Sequence, residues 1–329
     1  MQVLRLIIIL IIFMALSGLY KKLKLNDDMT TNQYYHKMID KYLLNKNALG
    51  MGNKPILWIY VHNDSPVIPE VNSRFWLNFG SRATKNFNQP YQYLTIKSII
   101  DKCGSDFNIC LIDDAAFKVL LPNWSINLQT IAIPMRVRVR LLGLASLINV
   151  YGGMLVPSSF ICFQSLKDLY ETCVTSNKIF VAQFQNRTCN EALQSQVVAP
   201  TPFFMGGKAG SETMSEFIHY LEIVNSKDFT AQADFLGVIN QWLANAINQE
   251  KIISLDGTLI GTQKIDGRPI YVEELVGSTF IDLHPESLGL YIPWNELINR
   301  TSLQWFVRLS PEQVLTSNTV IGKHLLINN

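Results

Sequence analysis

From Met135 to Phe160 the chain reads MRVRVRLLGLASLINVYGGMLVPSSF. Arg136, Arg138 and Arg140 alternate with valine and lead into the apolar stretch Leu141 to Val150, which Tyr151-Gly152-Gly153 stops. A mainly apolar stretch of this length, with only Ser146 and Asn149 polar, reads as a helix, and paired glycines as its end. Met154-Leu155-Val156 is then a short apolar strand that finishes on Pro157-Ser158-Ser159. Helix, glycine turn and buried strand in direct succession are the seam of an α/β fold.

The flanking chain has the same rhythm. Upstream, Pro55 to His62 is a continuous apolar run, the pattern of a strand covered on both faces in a parallel sheet. Pro69 to Phe79 reads as a helix opened by proline, Tyr91 to Leu94 as a strand, and Thr95 to Cys103 as a helix ended by Gly104. Phe107 to Ile112 is a strand, after which Asp113 and Asp114 are placed to cap a helix over Ala115 to Leu121. Downstream, Ser165 to Cys173 is helical and Ile179 to Phe184 extended. Met205 to Gly210 reads as a glycine-rich turn, followed by a Thr213-x-x-Glu216 capping box. Gln232 to Ile247 is an amphipathic helix, and the remainder reads as short strands punctuated by Asp256-Gly257 and Asp266-Gly267. The alternation predicts one α/β domain over 55–329 with a mostly parallel sheet flanked by helices.

Two segments precede it. Val3 to Tyr20 is apolar except for Arg5, Ser17 and Gly18, close to the roughly 17–25 residues of a spanning helix. It is expected to be a retained single-pass anchor over 1–24 that contacts membrane lipid. A cleavable signal peptide is the competing reading, because Ala15-Leu16-Ser17 resembles a cleavage site. Lys21, Lys22 and Lys24 follow it directly, which favours a body on the cytoplasmic side. Residues 25–54 read as a helical stem, with Tyr34, Tyr35, Met38, Ile39, Tyr42 and Leu43 on one face.

Composition removes several function classes. Hydrophobic residues make up 48% of the chain, charged ones 16%, and the net charge is +2, too weak a field to attract nucleic acid. Five cysteines without a CxxC pair predict reduced thiols rather than a disulfide framework. The five histidines show no metal-ligand spacing, and neither a G-x-S-x-G elbow nor an H-E-x-x-H occurs. Asp234 and Glu273-Glu274 are expected to be surface charge.

Pro55-Ile-Leu-Trp58, Phe107-Asn-Ile-Cys-Leu-Ile-Asp-Asp114 and the Gly152-Gly153 turn occur in an order that resembles family-32 glycosyltransferases and the related capsular-polysaccharide-synthesis proteins. That resemblance implies a GT-A-like fold, that of the nucleotide-diphospho-sugar transferases. In the family the helix carries Ser-Asp and an arginine, and the strand leads to Asp-x-Asp. Aligned on Gly152-Gly153 without gaps, Ser-Asp falls on Arg140-Leu141, the arginine on Leu144, and Asp-x-Asp on Pro157-Ser158-Ser159. Mg²⁺ and Mn²⁺ need hard, charged oxygen ligands to offset the diphosphate leaving group, and two serines do not supply them.

Two expectations follow. One is a membrane-anchored, non-catalytic descendant with a structural or binding role and no cofactor, for instance among the proteins of a coat or of a large virus particle. The alternative is a divergent transferase that moves a sugar from a nucleotide-sugar to a glycan or protein, using Mn²⁺ or Mg²⁺, or no metal at all. The residues facing the nucleotide-sugar in that case would be Arg138, Arg140, Tyr151, Gly152, Gly153, Ser158, Ser159, Asp113 and Asp114. A metal-free grip on the diphosphate requires the segment before Leu141 to be extended. On a helix the three arginines spread over about 200 degrees.

Overall fold

Five consecutive buried side chains, Ile56 to Tyr60, form strand β1, which has a parallel neighbour on each side. The computed structural model describes residues 54–61, 91–131, 133–185, 198–227, 237–309 and 311–328. The expected anchor, most of the stem and the Pro69 to Phe79 helix lie outside these residues. Among the described residues no helix is long and apolar enough to cross a membrane.

The strands are β1 (Ile56–Tyr60), β2 (Asn108–Ile112), β3 (Gly153–Pro157), β4 (Phe160–Cys162), β5 (Ile179–Gln185), β6 (Val198–Gly207), β7 (Ile252–Leu255) and β8 (Gly289–Tyr291). The central sheet has the order β2-β1-β3-β6-β5-β7. β1 runs parallel to β2 and β3, and β5 to β7, while β6 is antiparallel to both β3 and β5. The result is a mixed, mostly parallel sheet, beside which β4 and β8 form a small antiparallel pair.

The helices are α1 (Tyr91–Cys103), α2 (Asp114–Leu120), α3 (Ile133–Tyr151), α4 (Lys167–Thr175), α5 (Glu212–Ser226), α6 (Val238–Asn248), α7 (Val272–Val276), α8 (Trp294–Asn299), α9 (Gln304–Val307), α10 (Pro311–Thr316) and α11 (Val320–Asn328). Alternate strand residues divide between the two faces of the sheet. Leu57, Ile59, Met154 and Val156 join Ile96, Ile99 and Cys103 of α1 in one core. Trp58 belongs to the opposite face, with its ring centroid 5.7 Å from that of Tyr151 at the end of α3. A second cluster packs β8 and the carboxyl-terminal helices against Tyr91 and Leu94.

Several boundaries differ from the sequence expectation, each for a local reason. Tyr91 to Leu94 is the first turn of α1 rather than a strand. Its buried positions, Tyr91, Leu94, Thr95 and Ser98, recur at helical spacing once the segment is joined to the next. Met205-Gly206-Gly207 ends strand β6 instead of forming a turn, and the whole of β6 was hidden by Pro200 and Pro202. The register jumps from Ala182–Thr201 to Val181–Met205, so Pro202 falls in a bulge, where its missing N–H costs no ladder bond. The cap of α5 is Ser211, whose hydroxyl accepts from the Met214 amide, and Thr213 lies inside the helix. α6 starts at Val238, after Gly237, and the part of the expected helix before Gly237 lies outside the described residues. From Val272 onward the chain is mainly short helices and not short strands.

Candidate functional site

The Tyr151-Gly152-Gly153 turn closes α3 and starts β3. Gly152 and Gly153 have φ of +72° and +98°, which L side chains rarely adopt. At Gly153 the need is also steric, since a Cβ would lie 2.1 Å from the Ile56 carbonyl oxygen of β1. The Trp58 indole N–H donates to the Gly152 carbonyl at 3.0 Å, and the Tyr151 hydroxyl donates to the Leu120 carbonyl at 2.6 Å. Trp58, Tyr151, Gly152 and Gly153 therefore lock β1, α2 and α3 together.

Pro157 ends β3 and Ser158-Ser159 follow it, at the carboxyl edge where ligands bind in open α/β sheets. Here the serines turn into the fold. Ser158 is 2% exposed and Ser159 fully buried. The Ser158 hydroxyl donates to Gln92 Oε1 at 3.2 Å, and its carbonyl accepts from the Thr95 hydroxyl at 2.5 Å. The Ser159 carbonyl accepts from the Ile292 amide at 2.9 Å, while its buried hydroxyl has no hydrogen-bond partner. Both residues dock α1 and the segment after β8 onto the sheet.

The arginines are helical from the start, because α3 begins at Ile133, so the extended arrangement that would align three guanidinium groups does not form. Arg136 reaches back to the Ile131 carbonyl through Nε at 3.1 Å and Nη2 at 2.9 Å. Arg138 is partly exposed and does not line the cavity described below. Arg140 is buried and grips Asp114 with two hydrogen bonds, Nε to Oδ1 at 2.8 Å and Nη2 to Oδ2 at 2.7 Å. Its guanidinium also lies 4.9 Å from the centroid of the Tyr60 ring, and the Tyr60 hydroxyl donates to Asp114. Burial pushes the Asp114 carboxyl up, but hydrogen bonds from Arg140 and Tyr60 outweigh it and hold it below the usual carboxylate range.

The two acids thus have different tasks. Asp113 is the N-cap of α2, with Oδ1 accepting from the Ala115 amide at 3.0 Å and the Ala116 amide at 3.1 Å. Asp114 is the partner of Arg140 rather than a cap. Asp113→Ala is expected to cost about 1 kcal/mol in urea unfolding, the usual worth of a cap. Asp113→Asn keeps an acceptor in place and is expected to retain most of that stability. Among the expected surface acids, Glu273 pairs with Arg300, and Glu274 accepts from Lys264 at 2.6 Å. Asp234 lies outside the described residues.

A cavity of about 90 Å³ opens beside this edge, between Tyr60, Arg140, Leu144, Leu155, Ser158 and Trp294. Phe203 and Val137, each more than a third exposed, also line it. Among the described residues this space is smaller than the roughly 300–1,000 Å³ usual for small-molecule sites. Its described wall is mostly apolar, and the cation in it, Arg140, is paired with Asp114. A second hollow of about 160 Å³, between Phe184, Thr262, Asn295 and Glu296, shares Tyr291 and Asn295 with the first. Tyr60, Phe203, Tyr291 and Asn295 were not singled out from sequence; positions 60, 203 and 291–295 lie far apart along the chain, and only the fold brings them together. Among the described residues no group of three or more His, Cys, Asp or Glu is placed to hold a metal ion. The ligand set that the family uses for Mg²⁺ or Mn²⁺ does not fit here: Ser158 and Ser159 offer no charge, and the Ser158 hydroxyl is already committed to Gln92. No protein-family model matches the sequence, and no curated protein matches it.

Proposed function

We propose that the chain is a glycosyltransferase-like domain without the transfer reaction, tethered to a membrane by residues 3–20 and serving a structural or binding role. Partners of the kind found in an organelle coat or a large virus particle suit this reading. The observation that carries it is the burial of Ser158 and Ser159, which use the metal-ligand positions of the family as anchors for α1 and the segment after β8. The small apolar cavity supports it too, as does the consumption of Arg140 by Asp114. A diphosphate leaving group needs compensating positive charge as the glycosidic bond breaks, and Arg140, the cation among the described residues of the cavity, is already paired with Asp114.

Calorimetry on the full chain in detergent micelles tests the proposal. UDP-, GDP- and CMP-sugars are expected to give no binding heat, with or without Mn²⁺. Saturable heat that requires Mn²⁺ would restore the metal-dependent transferase. Saturable heat without metal, abolished by Arg138→Ala, would favour the metal-independent one.

A further inference from the structure

We propose that Cys103 and Cys162 are an oxidative modification site, a latent disulfide that a small-molecule disulfide closes to pin α1 to β4. The two sulfurs lie 3.8 Å apart, on residues 59 positions apart in sequence, and both residues are fully buried. A disulfide bond is about 2.05 Å long, so closure requires the sulfurs to approach by less than 2 Å, within reach of side-chain rotation.

Their surroundings already hold the two segments in place. The Cys162 amide donates to the Ser98 hydroxyl of α1 at 3.0 Å, and the Cys162 sulfur lies 3.0 Å from the Gln164 carbonyl oxygen. Thr95 and Gln92 of the same helix hold Ser158, just before β4. The cross-link would therefore join two segments that four hydrogen-bonding side chains already align, with no large backbone movement.

The two thiols are not equivalent. A hydrogen bond from Cys162 pulls the Cys103 thiol below its ordinary range, and the same contact pushes Cys162 up. Cys103 is thus the first nucleophile, since the thiolate is the attacking species. Its thiolate attacks one sulfur of the small disulfide, forming a mixed disulfide and expelling one thiolate, which takes up a proton. Cys162 then attacks Cys103 Sγ as its proton passes to the second small sulfur, which leaves as a thiol. Two protein thiols give up two electrons and two protons, and one disulfide is reduced to two thiols. Cys173 belongs to the same core, but burial alone sets its thiol, pushed up to about 11, and no sulfur contact accompanies it. It serves as the internal control. The inference is independent of whether sugar transfer survives.

The experiment exposes the full chain in micelles to excess 2-hydroxyethyl disulfide, then unfolds it in N-ethylmaleimide without reductant. Two fewer alkylated thiols than the five of the untreated chain are expected, together with a proteolytic fragment linking Cys103 to Cys162. Cys173→Ser is expected to leave that link intact. Cys103→Ser and Cys162→Ser are expected to abolish it. Mapping on the unaltered chain keeps the test valid even where a variant fails to fold. Five alkylated thiols after exposure would overturn the proposal, as would separate small-thiol adducts on the two cysteines or a link to any other cysteine.

Discussion

Gly153→Ala is expected to destabilise the protein by about 4 kcal/mol, combining roughly 1–3 for a non-glycine residue at positive φ with roughly 1–3 for overpacking. Domains of this kind have only about 5–15 kcal/mol of stability, so much of the protein would be unfolded at modest urea. The reason is local. The Cβ would meet the Ile56 carbonyl oxygen at 2.1 Å, and that atom belongs to the backbone of β1, which cannot yield without disturbing its pairing with β3. Gly210→Ala is the control, because it has φ of +70° but nothing within 4 Å of the added methyl. It is expected to cost about 1 kcal/mol from conformation alone. Equal losses for the two variants would show that the approach of β1 to β3 is not what requires glycine. Urea unfolding followed by far-ultraviolet circular dichroism gives both numbers.

Asp114→Ala is the second large effect, expected at about 3–5 kcal/mol, because it breaks the two-hydrogen-bond ion pair that the buried Arg140 makes with it. Replacing both partners by apolar residues, Asp114→Leu with Arg140→Met, is expected to recover most of that loss, since neither desolvated charge remains. Acidification acts through the same pair. The folded Asp114 carboxyl lies below the usual range, so its contribution is complete above the unfolded carboxylate value of about 3.9 and is lost as the pH falls through the folded value. The double variant is therefore expected to lose less stability than the unaltered protein between pH 5 and the acid transition, as measured by urea midpoints across that range. Parallel pH profiles would show that Arg140 does not hold Asp114 ionised.

What the sequence displayed was whatever depends on neighbours in the chain. β1 was legible because five apolar residues in a row have one simple explanation, a strand buried on both faces. α3 and the Gly152-Gly153 turn were legible because helix, stop and strand are contiguous. β6 was not, because its prolines argue against a strand until the bulge that absorbs Pro202 is known. Tyr91 to Leu94 misled for a related reason: four residues are too few to separate a period of two from one of 3.6. At the site, the absence of carboxylates on Pro157-Ser158-Ser159 was evident at once. The use made of those serines was not, since Gln92, Thr95 and Ile292 lie far from them in sequence and approach only when α1 and β8 dock. The division of labour between Asp113 and Asp114 was likewise hidden, for it depends on which of two adjacent acids meets Arg140 across the gap between two helices.

The place of β1 in the sheet has a consequence for biosynthesis. This strand is made before either neighbour, and β3, its partner through Leu57 to Tyr60, emerges roughly 100 residues later. At about 5–20 residues per second that interval lasts some 5–20 seconds. Throughout it Ile56-Leu57-Trp58-Ile59-Tyr60 has at least one unpaired edge and no charged residue of its own, the profile of a segment that associates with other extended chains. The ribosome thus exposes the most adhesive part of the sheet first and its partner late. Newly made chains are therefore expected to need chaperone cover during that wait, and the yield of folded protein is expected to follow the supply of that cover more closely than the stability of the finished fold.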